Sequence, residues 1–514
     1  MPRKGFEKVQ TGCLTCKARK VKCDETQPTC MRCQSSRRHC GGYRQTSASS
    51  YKWQYLLSPH SVVHRRTNCS NADQRSLAFF HRTLAPVLSG PLRNQFWTVQ
   101  VASVEYGLAG AKHAVLALNA PFEHYANRQS TADASLRSAV YYNTSVNIAI
   151  EQYNKAINSV LAWRMTAVSL EAVLVICILF VSIEYATGNP TAAVTHLNHG
   201  ISLLRSSRLI PEAIISQFRY LSVLPRYSGA DISSFCFIGE GSEARIHSLI
   251  KFVDLGAAEA ALSPLVYKCA RLPLLQASIT SDAEVLHRES LQQDLDRWWS
   301  LFMDLRRRGS VRTPGTQRAI TQISLVQGAG LLEVRWLVAK IWMDTTPLQD
   351  EHAYDSYLNG FCRIVKASSK VQDECSDMSD ALAFNIGYTA PLYFTTLKCR
   401  QFDIRLKALS LMEMLFCREK AVWHQPLLCA AARRAIELEH GVSLYRHDNT
   451  YLASAELGPH LVTSGLLVTR IEIGAAELLS KSCESFMEYR VPFQVWTEGN
   501  GPHTILQNIK VSNC

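Results

Sequence analysis

Six of the chain's 17 cysteines follow one another as Cys13-x2-Cys16-x6-Cys23-x6-Cys30-x2-Cys33-x6-Cys40, so the unit C-x2-C-x6-C occurs twice, joined by a six-residue loop. Thiolates at this spacing do metal chemistry. A C-x2-C step lets two sulfurs grip one ion from a tight turn, and the six residues that follow leave room for a short helix before a third ligand. Tetrahedral zinc takes four ligands, and two separate sites would need eight sulfurs where six exist. If two sulfurs each serve both ions, six ligands count as eight, and the repeat predicts a cluster of two Zn²⁺. One four-cysteine site with two idle thiols is the alternative; it breaks the symmetry of the repeat and ranks below. Redox and metal-storage readings rank lower still.

The two copies differ in charge. Lys17, Ala18, Arg19, Lys20, Val21 and Lys22 follow the first C-x2-C, against Gln34, Ser35, Ser36, Arg37, Arg38 and His39 after the second. Residues 1–44 hold 11 Lys and Arg against 3 acids, a net +8 out of +12 for the whole chain. Six thiolates with two Zn²⁺ would leave this head near +6, a basic patch suited to phosphate. A charge run alone is usually a solvated face; inside a two-zinc scaffold it points to DNA. The first half should face the duplex. A short helix there presents its N-terminal end to the major groove, where Lys donates to guanine O6 and N7. Lys17, Arg19 and Lys22 are assigned to phosphate, which positions without reading sequence.

This spacing, with KARKVK between Cys16 and Cys23 and Pro28 two residues before Cys30, resembles the fungal binuclear zinc-cluster family of transcription factors. The resemblance implies that Cys13 and Cys30 bridge the two ions, that Cys16 and Cys23 complete one zinc, and that Cys33 and Cys40 complete the other. It also implies that Lys20 contacts bases, that Pro28 turns the loop, and that a CGG-like triplet is the target.

Such elements need a body behind them. The sequence predicts a mainly α chain: a cluster domain over 1–44, a linker over 45–75, a large all-helical domain over 76–490 and a tail over 491–514. Ser-rich Thr46 to Ser50 reads as linker. No sustained heptad runs from Gly41 to Arg66, and Pro59 would break one, so a local zipper is not expected. In the body, Val146, Ile150, Tyr153, Ile157 and Val160 recur at helical spacing, as one core-facing stripe. Ala172 to Val181 is ten apolar residues, short of the roughly 20 that span a membrane, and reads as a buried helix. Thr187-Gly188-Asn189-Pro190 then stops one helix and starts the next, giving an antiparallel hairpin with Val194, Leu197, Ile201 and Leu204. Leu305 to Arg312 reads as an exposed loop dividing two lobes near 306–318, a weak match to an import signal. The acidic run Asp373, Glu374, Asp377 and Asp380 reads as a solvated face, or else as a contact for the transcription machinery.

Phe79 to Trp97, the hairpin LFVSIEYATGNPTAAVTHLNHGISLL, and Ala390 to Phe394 with Lys398-Cys399-Arg400 and Arg405 resemble the fungal-specific regulatory domain that accompanies such clusters. That resemblance implies a helical regulatory domain and brings no site residues. Pro391 to Phe394 reads as core before pocket. His196 and His199 stand three apart but read as ordinary half-buried histidines. The eleven remaining cysteines, Cys69 to Cys514, form no C-x2-C pair and read as small core or surface residues.

The chain carries no P-loop, G-x-S-x-G or HExxH; Gly239-x-Gly241 and Gly328-x-Gly330 are incomplete phosphate loops. It is not expected to be an enzyme. The N-terminus MPRKGFEKVQTG has no apolar segment, so no secretory signal and no membrane partner are expected. The leading reading is a nuclear, zinc-dependent, sequence-specific DNA-binding regulator of transcription by RNA polymerase II, with double-stranded DNA as partner. A homodimer partner and the transcription machinery are further candidate partners. The alternative is a zinc-stabilised protein-interaction scaffold without specific DNA binding.

Overall fold

The computed structural model describes residues 13–40 apart from 20, 22, 25, 27–28, 37 and 39. It also describes residues 70–512 apart from 91, 93–94, 129–137, 163–168, 187–188, 207–208, 228–245, 276–280, 310–317, 347–350, 375–377, 419–424, 448–449, 454–464, 473–475, 482–485 and 498–499. The chain divides into two units, Met1–Tyr55 and Leu56–Cys514. The first holds two single-turn helices, α1 (Leu14–Ala18) and α2 (Met31–Ser35), one in each copy of the repeat.

The second unit is mainly helical, as predicted. Its first helix, α3 (Asn71–Phe79), starts in a capping box: Ser70 Oγ accepts from Asp73 N at 3.0 Å and Asp73 Oδ2 accepts from Ser70 N at 3.2 Å. After it come α4 (Ala85–Ser89), α5 (Val101–Gly107), α6 (Ala109–Arg128), α7 (Ser138–Ala162), α8 (Leu170–Ala186), α9 (Pro190–Leu204) and α10 (Glu212–Tyr227). Then α11 (Leu255–Leu275), α12 (Ser281–Gly309), α13 (Arg318–Thr345) and α14 (Leu358–Glu374) lead to α15 (Met378–Lys398), α16 (Phe402–Arg418) and α17 (Gln425–His440). No helix among the described residues is long and apolar enough to cross a membrane. Ala172 to Val181 is instead fully enclosed in α8.

The hairpin forms where its signals stand. Asn189 caps α9, its Oδ1 accepting from Ala192 N at 3.3 Å, and Pro190 takes the first turn, where its missing N–H costs nothing. Gly200 lets α10 approach closely, since a Cβ there would lie 2.3 Å from Cε1 of Phe218. The stripe on α7 holds in part: Val160 is buried and Tyr153 and Ile157 are half-buried, but its first turns are rotated. Ala149, Ala156 and Val160 are buried, while Ile150 is 50% exposed. Alanines on α6 (Ala111, Ala114 and Ala117) are buried as well. Small faces let two helices come close, and that overrides the pull of the larger Ile150.

Two expected boundaries change. Leu305 to Gly309 continues α12 rather than forming a loop; 310–312 lies outside the described residues. Arg306 Nη1 donates to Glu333 Oε2 on α13 at 2.8 Å, and Trp299 stacks on Trp336 at 4.2 Å, so α12 and α13 pack together and residues 56–514 form one unit instead of two lobes. Asp373 and Glu374 end α14, Asp380 lies in the first turn of α15, and Asp377 lies outside the described residues.

The second change is larger. Helix stops at His440, and the region expected as helix to 490 and then tail forms strands. A hairpin of β1 (Leu444–His447) and β2 (Thr450–Ala453) precedes a four-stranded antiparallel sheet of β3 (Leu466–Ile471), β4 (Glu477–Lys481), β5 (Phe486–Thr497) and β6 (Gly501–Ser512). β5 is central: β3 and β4 pair with its two halves, and β6 pairs along its whole length, Phe486 with Ser512 through Thr497 with Gly501. The physical reason is local. Val, Ile, Phe, Tyr, Trp and Thr alternate with polar residues on both sides of Asn500-Gly501, a hairpin dipeptide whose Gly501 has φ +64.

A buried ion-pair network holds this sheet to the helices. Glu439 of α17 accepts from Arg400 Nη1 at 3.0 Å and from Val468 N of β3 at 2.6 Å, and it pairs with Arg405. Lys398 Nζ donates to Glu351 Oε1 at 2.6 Å and to the Thr469 carbonyl at 2.7 Å. Burial by itself would raise the Glu439 carboxyl; Arg405 and Arg400 outweigh it and hold it below its ordinary range. Lys398, Arg400 and Arg405, which carry part of the resemblance to the regulatory domain, are structural clamps. Leu392, Tyr393 and Phe394 beside them are buried in the core, and Phe394 also borders a cavity.

Candidate metal centre and nucleic-acid interface

Each copy of the repeat builds the same local frame. Cys16 N donates to Cys13 Sγ at 3.3 Å, and Cys33 N donates to Cys30 Sγ at 3.3 Å. Val21 N closes on the Cys16 carbonyl at 3.1 Å, as Arg38 N does on Cys33 at 3.0 Å. Both single-turn helices thus hang their two cysteines on the same inner side. Val21 packs against the sulfurs from outside.

The sulfurs fall into two overlapping groups of four, Cys13, Cys16, Cys23 and Cys30, and Cys13, Cys30, Cys33 and Cys40, each with its ligand atoms within 4.8 Å of one another. Cys13 and Cys30 belong to both, and their sulfurs are 3.6 Å apart. A tetrahedron with Zn–S bonds of about 2.3 Å has edges of about 3.8 Å. The Cys13–Cys33 and Cys16–Cys30 separations, both 3.7 Å, match it. The donor set therefore fits two zinc ions, and the module holds two Zn²⁺. Burial pushes the Cys13 thiol up to about 12 and raises Cys16 and Cys30 as well, so these sulfurs ionise for the charge of bound cations, releasing protons as they do.

Among the described residues, these are the only groups of His, Cys, Asp and Glu at metal-ligand spacing. His196 belongs to no such group: Tyr153 Oη donates to Glu184 Oε1 at 2.6 Å and lies 3.1 Å from His196 Nε2, while Phe180 meets the imidazole edge-on at 5.3 Å. Burial lowers His196 to about 4 and His199 in the same direction, which favours the neutral imidazole in this helical packing.

Of the residues read as facing DNA, Lys17 stands in α1, its side chain outside the described residues, and Lys20, Lys22 and also Pro28 lie outside them altogether. Arg19 is exposed, and its Nη1 donates to Ser36 Oγ at 3.2 Å, across to the equivalent position of the other copy. Arg19 thus joins the two halves as well as carrying charge.

Sequence reading missed Asp24. Its Oδ1 accepts from Met31 N at 3.0 Å and its Oδ2 from Arg32 N at 2.6 Å, so it caps the second helix from the far side of the inter-copy loop. Thr26 Oγ1 also donates to it, and with the backbone bonds this lowers the Asp24 carboxyl to about 2. The signal was present as Asp24-x-Thr26 next to a ligand cysteine, an Asx-turn pattern. Because the folded value lies below the ordinary one, the contribution of Asp24 is complete at neutral pH and is lost as pH falls from about 4 towards 2. Asp24→Ala is expected to lower the melting temperature of the zinc-loaded module, and Asp24→Asn, which keeps one acceptor, to lower it less. Calorimetry that finds the two variants equal would remove the capping role.

Residues 11–50 match the family described as fungal Zn(2)-Cys(6) binuclear cluster domain. The chain is 27% identical over 220 residues to the aspercryptin biosynthesis cluster-specific transcription regulator atnN of Emericella nidulans, covering 39% of this chain and 35% of that one. It is 24% identical over 217 residues to the transcription regulator lscL of Purpureocillium lilacinum, 38% of this chain and 49% of that one. Over 43 residues it is 56% identical to the arginine metabolism regulation protein II of Saccharomyces cerevisiae, 8% of this chain and 5% of that one. The matches thus span half or less of each relative, and no solved structure matches. Repeat, sulfur geometry and family match agree: the N-terminal module is a fungal Zn(2)-Cys(6) binuclear cluster domain, carried by a chain similar to fungal transcription regulators.

Proposed function

We propose that the protein is a nuclear, sequence-specific DNA-binding regulator of transcription by RNA polymerase II and not an enzyme. The observation that carries this reading is the pair of overlapping sulfur tetrads built around α1, whose own half of the repeat holds Lys17, Arg19, Lys20 and Lys22. Cys13 and Cys30 bridge the ions, Cys16 and Cys23 complete one, and Cys33 and Cys40 complete the other. Lys20 donates to the bases of a CGG-like triplet in the major groove; Lys17, Arg19 and Lys22 hold phosphates. A given triplet recurs about every 64 base pairs, too often to specify a gene, so a second contact such as a homodimer partner is required. The regulators named above support this assignment for the family.

Selection of bound sites from a random DNA pool by the full chain, at near-physiological salt, tests it. Enrichment of CGG-containing sites is the expected result, and one or two triplets per site separates monomer from dimer. Two bound zinc ions with no enriched sequence would replace this reading with a zinc-stabilised scaffold. Lys20→Ala is expected to relax selection at the triplet by about 1–3 kcal/mol, whereas Lys22→Ala weakens binding to all sequences and flattens the salt dependence by about one unit of slope. Equal behaviour of the two variants in salt titrations would overturn the division of roles.

A further inference from the structure

A cavity of about 380 Å³ lies where the helical body meets the sheet. Three of its lining side chains are cations, Arg226 from α10, Lys398 from the end of α15 and Arg470 from β3, against one carboxylate, Glu351. Glu351 is already engaged by Lys398 at 2.6 Å and by Arg400 Nη2 at 3.2 Å. Arg470 reaches Glu472 only at 3.7 Å, and that carboxylate also accepts from Gln494 Nε2 at 3.3 Å. Arg226 makes no ion pair among the described residues; its Nη2 meets Thr346 Oγ1 at 3.5 Å. Two guanidiniums therefore lack a full counter-charge.

The hydrogen bonds show the same deficit. Arg226 Nε, Arg470 Nε and Trp342 Nε1 are buried donors with no acceptor among the described residues, and all three residues line this cavity. No acceptor on its lining side chains is left over in the same way. Buried polar groups are normally satisfied, so three orphaned donors in one place mark a missing acceptor. The contrast with a second cavity of about 340 Å³ is direct: Arg335 there is paired with Glu259 at 2.9 Å and lies 5.2 Å from the centre of the Tyr220 ring, leaving no orphan. Thr469 and Gln494 add polar side chains to the first cavity, and its aromatic side is formed by Trp342, Tyr354 and Phe394, with Phe394 5.8 Å from Trp342 and 6.0 Å from Tyr354, ring centre to ring centre.

We infer that this cavity binds a small organic oxyanion, a carboxylate or phosphate on an apolar body, with Arg226 and Arg470 holding the anionic group and the aromatic wall carrying the body. Guanidinium forks suit planar or tetrahedral oxyanions, and the volume is at the lower end for small-molecule sites. The ligand joins α10 and α13 to β3 and β5, so its binding stabilises the attachment of the sheet. The inference does not rest on the DNA-binding reading.

The test uses the full chain with three probes, citrate, benzoate and inorganic phosphate, against sodium chloride at matched ionic strength. Melting temperature and tryptophan fluorescence are read together. At least one probe should give a saturable rise in melting temperature and a saturable fluorescence change that chloride does not, with citrate or benzoate against phosphate identifying the head group. Arg226→Gln should weaken the response at least about tenfold, and Trp342→Phe should remove most of the fluorescence change. Arg470→Lys, which keeps charge and loses the fork, should give an intermediate affinity and covers the case in which Arg226→Gln does not fold. No saturable response to any of the three probes, or an unchanged response in Arg226→Gln with zinc content and helicity intact, would overturn the site.

Discussion

Replacing Cys13 or Cys30 with serine is expected to empty both zinc positions and unfold the N-terminal module, whereas Cys16→Ser should leave one ion bound. The difference follows from sharing. Cys13 and Cys30 are the two sulfurs common to both tetrads, so losing either leaves each ion with three thiolates, while losing Cys16 touches one ion only. A structural zinc contributes about 10–16 kcal/mol of apparent binding free energy at neutral pH, which in so small a module is nearly the whole of its folding free energy. The sulfur cluster is also the module's buried centre; among the described residues, apart from the cysteines, only Val21 is a hydrophobic side chain packed against it. Native mass spectrometry of the full chain counts the ions: two in the parent, none in Cys13→Ser and Cys30→Ser, one in Cys16→Ser. One ion retained in Cys13→Ser would show that the sulfur is not shared.

Glu439→Ala should cost the large unit about 3–5 kcal/mol, the usual result of removing one partner from a buried ion pair and leaving the other unpaired. Glu439 and Arg405 are both fully buried, and Arg400 is 9% exposed, so Arg405 would lose its counter-charge, Arg400 would keep only Glu351, and Val468 N would lose its acceptor. Glu439→Gln keeps the acceptor and loses the charge, and should fall between. Glu437→Ala, which removes the pairing of Glu437 with the more exposed Arg434 and one bond from Leu444 N, should cost less than Glu439→Ala. Urea midpoints followed by tryptophan fluorescence rank the three. The sign with pH follows from the depressed Glu439 carboxyl: its contribution is present above the ordinary carboxylate range and is lost as pH falls through and below it. Equal midpoints for Glu439→Ala and Glu437→Ala would mean that the network does not hold the sheet.

Much of the site was readable from the chain because its determinants are local. C-x2-C-x6-C, twice, contains within 28 residues both the ligands and the turns that aim them. Asn189-Pro190 likewise sets the start of α9 with atoms no more than three residues apart. Asp24 was missed for the opposite reason, since its partners Met31 and Arg32 lie across a loop and no periodicity links them. The stripe on α7 was misplaced in its first turns because spacing gives the face of a helix, while the choice between Ile150 and Ala149 depends on what α6 presents.

The strands after His440 show the limit from another side. Asn500-Gly501 between alternating runs was a valid hairpin signal, outweighed by a helical pattern that held for most of the chain before it. By itself, then, the sequence determined the zinc module, its basic half and a mainly helical body, because each rests on contacts between near neighbours. Only the tertiary structure decided that Lys398, Arg400 and Arg405 clamp a sheet, and that Arg226, Trp342 and Arg470 meet in one cavity across some 240 residues. Those meetings depend on burial and on charges brought together by packing, and neither quantity exists until the chain has folded.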